Sequence, residues 1–149
     1  GVYMSMIDIS GKDNVYREAV AEGVIRLKPE TIEKIKRGEV EKGDVLTISR
    51  IVAINGVKKT PELLPLCHNI LLTHIDVQYE FLENDKLKVI VTVKSIGKTG
   101  VEMEALTGVS LALLNIWDMV KKYEKNDEGQ YPNTWIEYIR VKYKIKKNI

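Results

Sequence analysis

Apolar residues recur at three- and four-residue steps between Gly97 and Lys122, and this spacing predicts the longest helix of the chain. The stripe that we expect to pack against a sheet contains Leu106, Val109, Leu113, Ile116, Trp117 and Val120. Glu102 falls in the first predicted turn, where carboxylates suit the exposed amides and the positive end of the helix dipole. A polar strip within roughly 60° of one direction follows the same helix: Glu104, Thr107, Asn115 and Asp118. This strip is either a solvated outer face or a functional surface.

The chain before this helix alternates strand and helix signals. A strand is predicted from Tyr16 to Leu27, and a short helix is predicted between Pro29 and Gly38, because proline suits a first helical position and glycine a helix end. Asp44 is the predicted N-cap of a second helix. The apolar residues of that helix are spaced for a largely buried element: Val45, Leu46, Ile48, Ile51 and Val52.

Two runs of strand length, 70–82 and 86–96, are joined by a turn around Asn84 and predict a β-hairpin. In the second run one apolar set alternates with the intervening positions, as expected for a sheet with one buried face: Leu87, Val89, Val91 and Val93. A last strand is predicted within TWIEYIRVKYK. Its Arg140, Lys142 and Lys144 stand at alternate positions, so we expect their side chains on one face. A solvated row of charges that protects an edge strand from aggregation is the structural alternative to a functional surface.

The predicted order of elements is strand, helix, helix, strand, strand, helix, strand. This order indicates an α+β fold of the ferredoxin-like βαββαβ type, with an additional helix in the first crossover and an antiparallel sheet covered by helices on one face. The 149 residues, of which 44% are hydrophobic and 30% charged, suffice for one domain spanning residues 1–149. Exposed sheet edges favour assembly with like chains.

Composition narrows the classes of function. A formal net charge of only +2 gives no uniformly basic surface, so we expect no nucleic-acid partner. The single cysteine, Cys67, excludes an internal disulfide and fits a reducing compartment. The longest apolar runs are too short for a bilayer and the N-terminus lacks the regions of a signal peptide, so we expect a cytoplasmic protein without a membrane partner.

Two short motifs suggest chemistry that the rest of the sequence does not support. The GKT tripeptide at 97–99 looks like the end of a phosphate-binding P-loop, but Thr92 stands where the first glycine is required. Cys67 and His68 are adjacent candidate metal ligands. Zinc sites take three or four protein ligands, whereas the only other histidine is His74 and there is no second cysteine, so we predict no metal site.

The segment that carries the cysteine is conformationally confined. Pro61 and Pro65 prevent a long helix, so the tripeptide Leu66–His68 is expected at the entry to a strand in a fixed conformation. A packed cysteine and a hydrogen-bonded histidine are the purely structural alternative to a binding site at these positions.

Several cations also have a structural interpretation. Lys42 precedes the N-cap of the second helix, and Lys58 and Lys59 lie near its C-terminus, where the helix dipole favours cations in any case. Because arginine side chains are mostly exposed in folded proteins, composition alone leads us to expect Arg17 on the surface.

Five segments, spread over nearly the whole chain, closely resemble one family: MIDIS, KGDV, KKTPELLPLCH, GKTGVEMEALT and IWDMVKK. They are similar to the cyclic pyranopterin monophosphate synthases of molybdenum cofactor biosynthesis, the MoaC family. The resemblance implies an enzyme that converts 3′,8-cyclo-7,8-dihydroguanosine 5′-triphosphate to cyclic pyranopterin monophosphate and releases diphosphate. It also implies a homohexamer built as a trimer of dimers.

The resemblance assigns roles to individual residues. The implied catalytic residues are Asp118, Lys42 and Lys121. The implied substrate contacts are Leu66, Cys67, His68, Glu102, Met103, Glu104, Arg17, Lys58, Lys59 and Lys144. These residue types suit the reaction, because a triphosphate needs several cations and the rearrangement of a purine to a pterin needs acids and bases. No cofactor is required on this interpretation, although magnesium could accompany the substrate phosphates.

The C-terminal part departs from the family pattern. Many relatives continue with a glycine-rich KSGGKSG segment, whereas this chain reads KYKIKKNI, which leaves the correspondence of Lys144 open. The EKNDEGQYPN connection is also longer than usual.

The alternative to an enzyme is an RNA-binding module of the ferredoxin-like fold, which the order of elements and the basic last strand suggest. Such a module stacks bases on exposed aromatic side chains. The third strand has none between Lys86 and Lys98, and the only phenylalanine of the chain is Phe81, so the sequence favours the enzyme.

The two ends of the long helix predict where the site is assembled. Glu104 and Asp118 are fourteen positions apart, which corresponds to about 21 Å along a straight helix. One small reacting centre cannot touch both. The resemblance nevertheless places both in the substrate site, so we predict a site between two subunits whose long helices run antiparallel.

Overall fold

The computed structural model describes residues 4–149, and within this range it confirms the predicted order of strands and helices. The elements are β1 Val15–Arg26, α1 Pro29–Arg37, α2 Val45–Lys58, α3 Thr60–Leu63, β2 Leu72–Leu82, β3 Lys86–Gly97, α4 Glu102–Glu124 and β4 Trp135–Lys147. The one-turn helix α3 was not predicted. It contains Pro61 in its first turn, where a missing backbone N–H costs nothing.

The sheet has the strand order β2-β3-β1-β4, and every neighbouring pair is antiparallel. This is the strand arrangement of a ferredoxin-like α+β fold, so the predicted fold class is confirmed. The helices cover one face. Alternate residues of β1 and β3 on that face form the core, as in the pair Ala21 and Val91, and both side chains are fully buried.

Helix α4 is the central element of the core. Its predicted apolar stripe faces β1, and at Gly23 the helix lies so close that a methyl group there would be 2.8 Å from both Val109 and Leu113. By length and composition α4 could span a bilayer, which corrects our expectation that no apolar run is long enough. Half of its most apolar window is buried against the rest of the protein, so α4 is a core helix.

The predicted buried face of α2 is only partly correct. Val45 is buried, but Ile51 is 55% exposed, and the buried positions nearer the C-terminus are mostly small. The reason is the close approach of α2 and α4: a methyl group at Gly56 would lie 2.7 Å from Leu111. Small residues therefore form the contact between the two helices, and the large apolar residues lie beside it.

The predicted common face of Arg140, Lys142 and Lys144 is wrong. Lys142 has no partner in the register, because Tyr143 is opposite Val20 while Val141 is opposite Ala21. This β-bulge inverts the alternation. Arg140 consequently contacts Glu22 on the open face, whereas Lys144 reaches the helical face.

A buried carboxyl group joins the end of α4 to two other elements. Glu124 is fully buried and accepts hydrogen bonds from the hydroxyl groups of Thr31 and Thr134, the latter at 2.5 Å. The backbone N–H of Lys28, directly before α1, lies 3.2 Å from both carboxyl oxygens. This group thus holds α1 and the start of β4 to the core.

We expect Glu124→Gln to lower the free energy of unfolding by about 1–3 kcal/mol, because the new amide group presents N–H donors to groups that donate. Chemical denaturation measures the change. Glu128→Gln, in the exposed loop before β4, is the matched control and should have almost no effect. Equal stability of Glu124→Gln and wild type would contradict the structural role.

Candidate functional site

Helix α4 carries a cluster of charged side chains at each end. The first, the lysine–aspartate cluster, consists of Asp118, Lys42 and Lys121. Lys42 Nζ lies 3.1 Å from Asp118 Oδ2, and Lys121 Nζ lies 3.1 Å from Asp118 Oδ1. The structure thus brings together the three residues for which the resemblance implies catalytic roles.

Local backbone structure explains why Lys42 reaches α4. Lys42 lies in the turn before α2, where Gly43 has a φ of 130°, a conformation that favours glycine. Asp44 then caps the helix as predicted, with its side chain accepting a hydrogen bond from Thr47 N at 3.0 Å. Lys42 Nζ also donates to the backbone oxygen of Asp118 at 3.0 Å, which fixes the ammonium group.

The electrostatics of this cluster keep the carboxylate ionised. Hydrogen bonds from Lys121 and Lys42 lower the pKa of Asp118, and the charges of both lysines act in the same direction. The Asp118 side chain is 55% exposed, so the site is open to a ligand. An anionic ligand that draws the two ammonium groups away would leave Asp118 able to accept a proton.

The second cluster, the glutamate cluster, lies at the N-terminal end of α4 and contains Glu102, Glu104, Cys67, Arg17 and Lys144. Lys144 Nζ forms an ion pair of 2.5 Å with Glu102 Oε1. Burial by itself disfavours the charged form of Glu102, but the hydrogen bonds to its carboxylate from Lys144 and the backbone, together with the charges of Lys144 and Arg17, outweigh it and lower the pKa of Glu102. Arg17 is buried and its Nε lies 3.4 Å from Gly97 O, so it is not the surface charge that composition suggests.

Glu104 has a very different environment from Glu102. Its side chain is buried, and Oε1 has no hydrogen-bond partner within residues 4–149. Burial raises the pKa of Glu104, and the neighbouring Glu102 charge raises it further. Cys67 Sγ lies 3.9 Å from Glu104 Oε2, and burial together with this carboxyl group raises the pKa of the thiol. In both groups burial thus disfavours the charged form.

The two glutamates predict opposite effects of pH on stability. Because the pKa of Glu104 is raised on folding, its contribution to stability is lost as the pH rises through that pKa. We expect Glu104→Gln to be as stable as wild type in acid and more stable near neutral pH, as measured by thermal denaturation over a pH series.

Glu102→Gln is the matched control for that experiment. The pKa of Glu102 is lowered on folding, so its contribution is present above its unfolded pKa and lost as the pH falls through the folded pKa. Glu102→Gln should accordingly be less stable than wild type near neutral pH. The same sign for both variants would show that the environments of the two carboxyl groups are misassigned.

The remaining implied contacts lie near the glutamate cluster or apart from it. Leu66 and His68 line a surface cavity of about 530 Å³ together with the N-terminal segment and Thr99. Met103 is 44% exposed at the start of α4. Lys58 lines a groove beside β2 and Lys59 is exposed near the end of α2, and among residues 4–149 neither is bonded to either cluster. The position of these two lysines near the C-terminus of α2 agrees with a favourable interaction with the helix dipole.

Sequence reasoning missed the part of the N-terminal segment that faces His68. The backbone oxygen of Ile7 lies 2.6 Å from His68 Nε2, and Ile7 and Lys12 line the same cavity as His68. The only signal was the MIDIS segment of the resemblance, to which no site residue was assigned.

Neither cluster is arranged as a metal centre. Within the described residues 4–149, no three histidine, cysteine, aspartate or glutamate side chains come together in a way that could hold a metal ion. The oxygen atoms of Asp118 are each directed to a lysine instead. Any cation carried by a ligand would therefore meet ammonium groups in this cluster.

Comparison with known proteins relates both clusters to one family. The sequence model of the MoaC family matches residues 6–146 of this chain. A relative from Sulfolobus acidocaldarius is 62% identical over 141 residues, which cover 95% of this chain and 98% of the relative. A relative from Methanococcoides burtonii is 56% identical over 144 residues, covering 97% of this chain and 90% of the relative.

A third relative, from Thermococcus kodakarensis, is 57% identical over 143 residues, covering 96% of this chain and 91% of the relative. All three bear the name probable cyclic pyranopterin monophosphate synthase. The matches include the segments that form α4, the turn with Lys42 and the segment with Cys67. On the strength of these matches over nearly its whole length, the chain belongs to the MoaC family.

Proposed function

We propose that this protein is a cyclic pyranopterin monophosphate synthase, which converts 3′,8-cyclo-7,8-dihydroguanosine 5′-triphosphate to cyclic pyranopterin monophosphate and diphosphate. Its main structural support is the Asp118 carboxylate held between Lys42 and Lys121 on an exposed surface. The names of the relatives point to cyclic pyranopterin monophosphate as the product. The activity belongs to the class of phosphorus–oxygen lyases.

The chemistry explains why two ammonium groups should flank one carboxylate. Formation of a cyclic monophosphate from a triphosphate requires that a hydroxyl group of the same molecule attack the α-phosphorus while diphosphate leaves. The proton of that hydroxyl must be accepted, and the charge that develops on the leaving group must be offset. Asp118 is suited to the first task, and Lys42 and Lys121 are suited to the second.

The glutamate cluster is suited to a different part of the substrate. Burial raises the pKa of both Glu104 and Cys67, and a protonated carboxyl or thiol group can donate a hydrogen bond to a neutral ring. Arg17 and Lys144 add positive charge at the edge of this cluster, which fits phosphate oxygens. We assign the ring contacts to Leu66, Cys67, His68, Met103 and Glu104.

A complete site then requires two subunits. The clusters lie near opposite ends of α4, about 21 Å apart along the helix for Glu104 and Asp118. Two antiparallel α4 helices of a dimer would bring the lysine–aspartate cluster of one chain to the glutamate cluster of another. We extend this to a homohexamer built as a trimer of dimers, in the cytoplasm.

Magnesium is an expected companion of the substrate and not a resident cofactor. A triphosphate binds Mg²⁺ through its own oxygens and the ion keeps several waters. On this proposal the protein contributes lysine and arginine side chains, and the ion would reach the site with the phosphates.

Incubation of the purified protein with the cyclic dihydro-GTP substrate tests the function directly. We expect mass spectrometry to detect cyclic pyranopterin monophosphate and diphosphate in equal amounts, formed only when protein is present. Salt-dependent binding of RNA without any conversion of the cyclic nucleotide would instead favour the RNA-binding module.

A further inference from the structure

The segment 5–12 lies outside the helices and strands, yet side chains from two other parts of the chain hold it. His68 Nε2 lies 2.6 Å from the backbone oxygen of Ile7. Lys98 Nζ lies 3.2 Å from Ser10 O and 3.1 Å from Lys12 O. The segment therefore has a fixed path across the cavity that His68 lines.

The contact with Ile7 determines which nitrogen of His68 carries a proton. A backbone oxygen can only accept a hydrogen bond, so the nitrogen that faces it must donate. The proton of the neutral ring is thus on Nε2, and Nδ1 carries the lone pair. Protonation at Nδ1 would leave the bond from Nε2 to Ile7 intact, so the ring keeps its position in both protonation states.

Lys98 fixes the acceptor in this contact. It follows directly after β3 in the loop that leads to α4, and its two hydrogen bonds tie residues 10 and 12 to that loop. Within the segment, Asp8 Oδ1 accepts a hydrogen bond from Ser10 N at 2.9 Å, which links the part held by Lys98 to the part that holds His68. The ammonium group of Lys98 is therefore connected to the His68 ring through the backbone from Ile7 to Ser10 and Lys12.

We propose that Lys98 is a positioning residue, which acts through the segment 5–12 to hold His68 as its Nε2-protonated tautomer and so to present Nδ1 to the substrate as a proton acceptor. This inference rests on the proposed function, because His68 is an implied substrate contact. It gives Lys98 a role other than the phosphate binding that the GKT tripeptide suggests.

The tautomer can be measured without any substrate. The chain has two histidines, so selective ¹⁵N labelling of histidine in a His74→Gln background leaves His68 as the only signal. The nitrogen that carries the proton and the nitrogen that carries the lone pair have well separated chemical shifts. We expect the Nε2-protonated form to dominate in wild-type protein at a pH where the ring is neutral.

Lys98→Met tests the role of the lysine in the same spectrum. It keeps most of the aliphatic stem and removes the donors to Ser10 and Lys12, so we expect a mixture of both tautomers and a fall in kcat on the order of tenfold. Lys98→Arg restores donors and should recover much of the tautomer preference and of the turnover. Lys94→Met is the control, because Lys94 lies in β3, just before Lys98, and its ion pair with Glu18 is a long 4.0 Å.

Two results would overturn the proposal. One is a wild-type His68 with the proton on Nδ1, which decides the matter even if Lys98→Met fails to fold. The other is a folded Lys98→Met protein with the wild-type tautomer and wild-type turnover. Absence of turnover in the wild-type protein is a separate result, which counts against the proposed function while the spectrum still reports the tautomer.

Discussion

Replacement of Asp118 by asparagine should remove most of the turnover, by roughly 10²- to 10⁴-fold, and leave the fold intact. The amide has almost the same shape as the carboxylate, but it cannot accept a proton and carries no charge to hold Lys42 and Lys121. Asp118 is exposed and outside the core, so little stability depends on it. Steady-state kinetics with the cyclic nucleotide and thermal denaturation measure the two effects.

Asp127→Asn is the matched control for this variant, because Asp127 is an exposed aspartate in the loop that follows α4. It should retain wild-type kinetics. A folded Asp118→Asn protein with turnover similar to wild type would refute the catalytic assignment, and a strong loss of stability would make the role of Asp118 structural.

Mixing two inactive variants should restore activity if the site lies between subunits. Glu104→Gln damages the glutamate cluster and Asp118→Asn damages the lysine–aspartate cluster, so each variant alone has two defective sites in a dimer. A mixed dimer has one site with both defects and one site with none. With equal amounts and free exchange of subunits, half of the dimers are mixed and activity should reach roughly a quarter of wild type.

The control for this experiment is a mixture of Asp118→Asn with Lys42→Ala, which damage the same cluster. Every site of that mixed dimer keeps one defect, so no recovery is expected. Native mass spectrometry must confirm that mixed oligomers form in both cases. Mixed oligomers of Glu104→Gln and Asp118→Asn without any activity would place both residues in the site of a single chain, or would remove one of them from the site.

Much of the fold could be predicted because periodicity reports which face of each element is buried. The alternation at Val89 and Val91 and the stripe at Val109 and Leu113 agree with their burial in the structure. Periodicity fails where a contact is made by small residues, as at Gly56, because the hydrophobicity of glycine does not reveal a close approach. It also fails at the bulge in β4. There the unpaired Lys142 reverses which face the following side chains occupy, and the composition of the strand does not reveal this.

The candidate site was predictable to a similar degree. The pairing of Asp118 with Lys121 follows from their spacing of three positions on one helix, whereas the proximity of Lys42 depends on how the turn before α2 meets α4. The contact of His68 with the Ile7 oxygen could not be predicted, because any residue supplies a backbone oxygen. Nor does sequence pattern show that the pKa of Glu102 is lowered and that of Glu104 raised, since the burial and partners of each group depend on the fold.

The bulge at Lys142 makes the register of β4 as important as its composition. Loss of the extra residue would leave Val141 opposite Ala21 and Tyr143 opposite Val20, so Lys144 would stay on the helical face beside Glu102. Regular pairing that placed Lys142 opposite Val20 would instead move Lys144 to the open face of the sheet. Across an evolving lineage we therefore expect a single-codon deletion to be tolerated at the bulge, where it removes a residue that pairs with no other strand.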